Sequence, residues 1–251
     1  MRIAVDTGGK FTDCVFVRNG RLEIRKLPST PRNPAEAMAR ALAEIFDSAT
    51  RRDSSPLELA CGTTVATNAL LERRGGCVAL VTTAGFEDVL EIGRQARPRF
   101  YDLFPARPEA LVPAPRRFGL REGLDFRGRV LLSLSAAETA RVARRAALSG
   151  ADAVAVCLLF SFVNPSHERA MARALTKAGM PVCVSHEILP EFREFERTAT
   201  TFVNAYLMPV MSRYLGEVER RASSLRREES ARHALPVSCN AKRTVQIARR
   251  T

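Results

Sequence analysis

The sequence predicts an α/β protein with a mixed sheet flanked by helices, and three observations carry that expectation. Short apolar runs open the chain as three antiparallel strands, strand and helix patterns alternate from residue 57 onward, and 46% of the 251 residues are apolar, enough for a sizeable core. A second α/β block and a C-terminal helix are expected beyond an irregular connector.

Ile3-Ala4-Val5 ends at Asp6, Cys14 to Val17 forms a second strand, and Leu22 to Leu27 alternates apolar with charged residues. Asn19-Gly20 between the last two is a type I′ hairpin signal. Asn33-Pro34-Ala35-Glu36 then supplies an N-cap, a proline at the first helical position and a glutamate at the third. It opens a helix with Met38, Leu42, Ile45 and Phe46 on one face, ending near Asp47. Leu57 to Cys61 leads into a helix through Leu71, and Val78 to Val81 into another after Gly85, so residues 1–93 are expected to form one subdomain around one mixed sheet.

Residues 94–128, with prolines at 98, 105, 108, 113 and 115, read as an irregular connector. Residues 129–230 read as the second α/β block. Its first strand is expected at Val130-Leu131-Leu132, its first helix behind the capping box Ser135-x-x-Glu138, and its next strand from Ala153 to Phe160. Asn164-Pro165 opens a helix ending at Gly179, Val182 to Val184 is a strand, and Thr198 to Leu225 is helical with Pro209 as a kink. Residues 231–251, basic and without a period, are expected to be a disordered tail.

The net charge is +12, and nine of the basic residues fall in 220–251. Arginine outnumbers lysine 35 to 4, there is no Trp, and only three Tyr occur, so the basic excess lacks the interleaved aromatics of a nucleic-acid surface and none is expected to bind. No apolar run approaches the roughly 20 residues of a membrane span, and Asp6 interrupts the stretch a secretory signal would need, which points to the cytoplasm. Six cysteines stand singly, and His167, His186 and His233 are isolated, so neither a zinc nor a redox site is indicated.

Three stretches could carry chemistry. The first, Val5 to Cys14, sets Gly8-Gly9 in a tight turn between two apolar strands, with Asp6 and Asp13 at either end. Glycines let a phosphate approach the backbone, Thr7 and Thr12 add hydroxyls, and a strand-end acid such as Asp6 can hold Mg²⁺ through water. A plain hairpin is an equal reading of those residues. Lys10 does not make a P-loop, because Phe11 rather than Ser or Thr follows it and a strand rather than a helix comes next. The second stretch, Cys61 to Leu70, places Thr63 and Thr64 at a strand-to-helix turn, as anion donors or simply as an N-cap. The third, Ser185 to Arg197, carries five charged residues in the seven from Glu191 and reads as a solvated helix face.

Taken in order, these stretches resemble the hydantoinase A and 5-oxoprolinase family, which includes the acetone and acetophenone carboxylase subunits. Asp6 to Asp13 is similar to its opening Asp-x-Gly-Gly-Thr-Phe-Thr-Asp, with Lys10 where the family usually has Thr. Gly62 to Ala69 resembles its second motif. Cys157-Leu158-Leu159, Asn164-Pro165-x-His167-Glu168, Pro190 to Arg197 and Asn204-Ala205-Tyr206 resemble its third region. The resemblance implies the first lobe of an actin-like ATPase, ribonuclease H-like in fold. In it Asp6 positions Mg²⁺, Asp6 and Asp13 are the candidate catalytic acids, and Thr7, Gly8, Gly9, Lys10, Thr12, Thr63 and Thr64 contact ATP. It implies ATP-driven opening of a cyclic amide of the hydantoin or 5-oxoproline class. A ketone carboxylase subunit or a non-catalytic partner-binding module are the alternatives. No second Asp-x-Gly-Gly motif follows, so a downstream lobe or a hydantoinase B-type subunit is the expected partner, and the chain is expected to be a truncated product inactive alone.

Overall fold

The computed structural model describes residues 2–18, 20–30, 34–47, 58–94 and 110–232. Two four-stranded sheets form its centre. In the first, β1 (Arg2–Thr7), β2 (Phe11–Arg18) and β3 (Arg21–Pro28) run antiparallel, and β4 (Glu58–Thr63) pairs parallel with β1, giving the order β3-β2-β1-β4. Strand alternation sends Ile3, Val5, Cys14 and Phe16 to one face, where Met38, Leu42 and Ile45 of α1 (Pro34–Asp47) meet them. The hairpin predicted at residue 20 is present, with Arg18 opposite Arg21 and Gly20 at φ 73°.

The second sheet is entirely parallel, in the order β10-β9-β5-β6, from β5 (Val78–Thr83), β6 (Arg117–Leu120), β9 (Ala153–Cys157) and β10 (Val182–Val184). Ala79, Val81, Val154 and Val156 face α4 (Ala136–Ala147) and α5 (Ser166–Lys177). Val78, Leu80, Ala153 and Ala155 face the long helix α7 (Glu194–Arg232) through Phe202, Ala205 and Tyr206. Further along, Tyr214 and Val218 of the same helix join the core of the first sheet. At 1.5 Å per residue, its 39 residues span about 58 Å, enough to brace both sheets.

The start of α4 is as predicted, since the Ser135 hydroxyl accepts from the Glu138 amide at 3.1 Å. The Glu138 carboxylate, however, takes the Arg121 amide and Arg141 rather than reaching back. Asn164 Oδ1 accepts from the Ser166 amide, and α5 is followed by Gly179 at φ 79°.

Four expectations are corrected. β5 belongs to the second sheet rather than to a mixed sheet of residues 1–93; every one of its positions is buried, as a strand sandwiched between two helical layers requires. The strand β8 (Val130–Leu132) does not begin the second block. It pairs with β7 (Gly123–Leu124) in a two-stranded ribbon of which it is the exposed strand, because three residues without a buried face cannot hold a central place. Residues 94–128 are not wholly irregular: a 3-10 turn at Ala114–Arg116 leads into β6, which completes the second sheet. Finally, α7 is longer at both ends than Thr198 to Leu225. The N-cap at Asn33 and the tail beyond Arg232 lie outside the described residues.

Helix α7 continues through Pro209, which lacks the amide its turn would use. Close by, the Tyr206 carbonyl accepts from the Gly76 amide at 2.8 Å. The loop carrying Gly75 and Gly76 lies so near that a Cβ on Gly75 would sit 2.1 Å from the Tyr206 ring, and one on Gly76 2.6 Å from Pro209. No helix among the described residues is long and apolar enough to cross a membrane.

Candidate functional site

The β1–β2 turn and the β4–α2 turn meet at one end of the first sheet, where α2 spans Val65–Leu71. Register sets Asp6 opposite Asp13 on one side and Gly62 on the other, so the two carboxylates share a sheet face beside a residue without a side chain. A Cβ on Gly62 would lie 3.1 Å from Asp6 Oδ1, which means the glycine leaves the room that this carboxylate occupies. Asp6 is exposed, and Asp13 pairs with Lys26 across β3 at 3.4 Å.

The Gly8-Gly9 turn is held by its backbone. The Gly8 amide donates to the Phe11 carbonyl at 2.9 Å, and the Ser29 hydroxyl donates to the Gly8 carbonyl at 2.7 Å. Gly9 and Lys10 are exposed at the tip. Across the gap, the Thr64 amide donates to the Thr7 carbonyl at 3.2 Å, Thr63 Oγ1 accepts from the Val65 amide, and Asn68 Nδ2 lies 3.7 Å from where a Gly9 Cβ would be. The structure therefore brings Asp6, Gly8, Gly9, Lys10, Thr63 and Thr64 to one corner.

Thr7 and Thr12 are at that corner but point into the core, as the alternation of β1 and β2 dictates. The Thr12 and Ser29 hydroxyls lie 2.9 Å apart, and Tyr214 reaches Thr7 Oγ1 at 3.5 Å, so these threonines brace the turn from within. Sequence reasoning missed Ser29 and Asn68. Ser29 carries no local signal, because its partners lie 17 and 21 residues away. Asn68 could have been found from its spacing, one helical turn after Thr64.

The corner suits Mg²⁺ better than a metal that needs a full protein cage. Among the described residues no three His, Cys, Asp or Glu side chains gather around one point, while Mg²⁺ keeps most of its waters and needs only one or two carboxylates such as Asp6. α2 is seven residues long, so its dipole contributes little and the hydroxyls and amides of the turn matter more.

A second polar cluster lies at the C-terminal ends of β5, β9 and β10. Glu168, 0% exposed, accepts from the Leu158 amide (2.9 Å), the Ser185 hydroxyl (2.6 Å), the His186 amide (3.0 Å) and approaches His186 Nδ1 at 2.7 Å. Burial pushes its pKa up, but the hydrogen bonds from His186, Ser185 and the two amides outweigh that and hold the carboxyl below its ordinary value. Glu122 is bound likewise by the Thr83 hydroxyl at 2.5 Å and by His167 Nδ1 at 2.7 Å. Arg197, also 0% exposed, donates from Nη1 to Ser161 and Ser185 and stacks over the Phe162 ring. His167 and His186 are thus not isolated, and the run ending at Arg197 is not wholly a solvated face: its last residue is interior.

A family described as the hydantoinase/oxoprolinase N-terminal region matches residues 2–179. An uncharacterized protein of Methanocaldococcus jannaschii is 36% identical over 222 residues, covering 85% of this chain and 32% of its own. Caprolactamase subunit alpha of Pseudomonas jessenii is 35% identical over 245 residues, covering 92% and 35%. The crystal structure of the ATP-dependent caprolactamase from that organism superposes with a TM-score of 0.74 at 36% identity, over 87% of this chain and 33% of the other. The chain spans about a third of the length of these two relatives, and about a fifth of the 5-oxoprolinases of Arabidopsis thaliana and Saccharomyces cerevisiae that it also matches.

Proposed function

The chain belongs to the hydantoinase/oxoprolinase family, and from that premise we propose that it supplies the phosphate-binding corner of an ATP-dependent enzyme that opens a cyclic amide. The observation that carries this reading is the convergence of the Gly8-Gly9 turn and the Thr63-Thr64 turn around Asp6. Its similarity to a caprolactamase subunit supports a lactam-like substrate and a multi-subunit assembly.

In this reading the amides at Gly9 and Lys10 and the hydroxyls of Thr63 and Thr64 orient the phosphates, and the Lys10 ammonium adds a mobile positive charge where the related motif has a hydroxyl. Asp6 would hold Mg²⁺, with Asp13 beside it, and the ion would offset the phosphate charge. Bound ATP supplies the phosphoryl group that activates an amide oxygen, and positioning plus charge stabilisation are what a protein contributes to such a transfer. Contacts to the remainder of the nucleotide and to the amide are assigned to a partner subunit or a further lobe.

Calorimetric titration of the full 251-residue chain with ATP, with and without Mg²⁺, tests the reading. Binding is expected to require Mg²⁺ and to be lost in Asp6→Asn, whereas Lys10→Thr, which restores the family residue, is expected to retain it. Equal binding by the wild type and Asp6→Asn would remove Asp6 from the site.

A further inference from the structure

The register of the first sheet sets four residues side by side across its strands: Gly62 of β4, Asp6 of β1, Asp13 of β2 and Lys26 of β3. Directly opposed residues of antiparallel strands share a face and hold their Cβ atoms about 4.5–5.5 Å apart. Asp6 and Asp13 are therefore two like charges in the arrangement that destabilises a sheet, and Lys26 is the one residue of the row that offsets them. Its ammonium stands 3.4 Å from Asp13 Oδ1 and lies over the Phe11 ring, 5.1 Å from the ring centre. Lys26 and Asp13 are both open to water, at 60% and 41% exposure, so the pair adds little to stability.

Arg25, the preceding residue of β3, gives the comparison. It is exposed as well, but the register sets it opposite Cys14, on the other face of the sheet from the two carboxylates. Of two neighbouring cations on one strand, one meets the acidic pair and the other does not. The row thus carries its own positive charge beside the carboxylates suited to Mg²⁺. Coulomb repulsion from an ammonium acts on a divalent ion twice as strongly as on a monovalent one at the same distance.

We propose that Lys26 is the internal counter-ion of the Asp6 and Asp13 pair: it lowers the affinity of the corner for a free divalent cation, so that cation and nucleotide phosphates enter together. This rests on the assignment of Asp6 to Mg²⁺ made above. An ammonium on a flexible four-carbon stem offsets the carboxylates without fixing them, and it leaves Asp13 by rotation about its own side-chain bonds. A complex of the cation with ATP is net negative, so the charge that repels the free ion attracts the complex. Lys26 is in this way a residue that regulates the loading of the corner, and its position on β3 puts it outside the stretch from Val5 to Cys14.

The test is a titration of the full nucleotide-free chain with Mn²⁺, which takes the same oxygen donors as Mg²⁺ and whose unbound fraction is read by electron paramagnetic resonance. Asp6→Asn is expected to lose the tightest site. Lys26→Met should tighten Mn²⁺ there about fivefold at low salt, the gain shrinking as sodium chloride is raised. Arg25→Met, which removes the same charge from the other face, should change the affinity by less than about twofold, and Lys26→Arg should leave it as in the wild type. When the complex of Mn²⁺ with ATP replaces the free ion, Lys26→Met should give no tightening. Equal Mn²⁺ binding by the wild type and Asp6→Asn would remove the metal assignment and this proposal with it. Loss of the site in Asp6→Asn together with equal responses in Lys26→Met and Arg25→Met would leave the metal assignment standing and overturn the role of Lys26. Equal tightening of the free ion and of its ATP complex in Lys26→Met would overturn that role as well.

Discussion

At the corner of the first sheet the groups that matter face water: Asp6, Gly9 and Lys10 are exposed, and the turn that presents them is held by backbone bonds and by Ser29. At the strand ends of the second sheet the charged groups Glu122, Glu168 and Arg197 are interior, each tied to side chains from other elements. An exposed carboxylate is solvated whether or not it has a partner, so its neighbourhood can be left open for a ligand. A buried one must be matched by the fold itself. The first arrangement leaves functional groups free at little stability cost, and the second makes stability depend on the polar groups.

The largest expected effect tests that contrast directly. Glu168→Ala strands the Ser185 hydroxyl, His186 and two amides, and should cost roughly 3–5 kcal/mol in urea unfolding. Asp6→Ala should change stability by no more than about 0.5 kcal/mol. Similar losses at both positions would erase the distinction.

Next comes the packing that ties the two sheets to one helix. Gly75→Ala forces a Cβ into the Tyr206 ring of α7, and should cost about 1–3 kcal/mol, with a lower urea midpoint and little change in slope. A neutral result would mean that the Gly75 loop moves freely over α7.

Acid should act on the second region. Glu168 is held below its ordinary value of 4.5, and Glu138 is lowered to about 2, chiefly by its hydrogen bond to Arg141. For carboxyls with depressed native pKa, the stabilisation is complete above the unfolded value and disappears as the pH falls through the native one. Urea midpoints should therefore decline from about pH 4.5 down towards about pH 2, and Glu138→Gln should make that decline shallower. An unchanged slope in this variant would remove Glu138 from the account.

The smallest stability effect is expected at Gly62. An alanine there would place its Cβ 3.1 Å from Asp6 Oδ1, and the exposed carboxylate can swing away, so stability should shift by about 0.5 kcal/mol or less. Mg²⁺-dependent ATP binding should nevertheless weaken, because Asp6 is displaced. Unaltered binding would show that the position of this carboxylate is unimportant.

The amino-acid sequence by itself determined the hairpins, the Asp6-Thr7-Gly8-Gly9 turn, the Ser135 cap and the family, because turn and cap chemistry is settled within a few residues. It could not say which sheet β5 joins: Val78 to Val81 is apolar at every position, and such a run fits the centre of either sheet. Nor could it separate Arg197 from the solvated charges around it, since Glu191, Arg193 and Arg197 look alike in a linear charge pattern. Only the tertiary structure decided that Arg197 turns inward to Ser161 and Ser185, that Thr7 and Thr12 brace a turn from beneath, and that one helix serves both cores. Those outcomes depend on contacts between segments 12 to more than 200 residues apart. Burial and hydrogen bonding over such separations belong to the packed chain as a whole, and local periodicity carries no record of them.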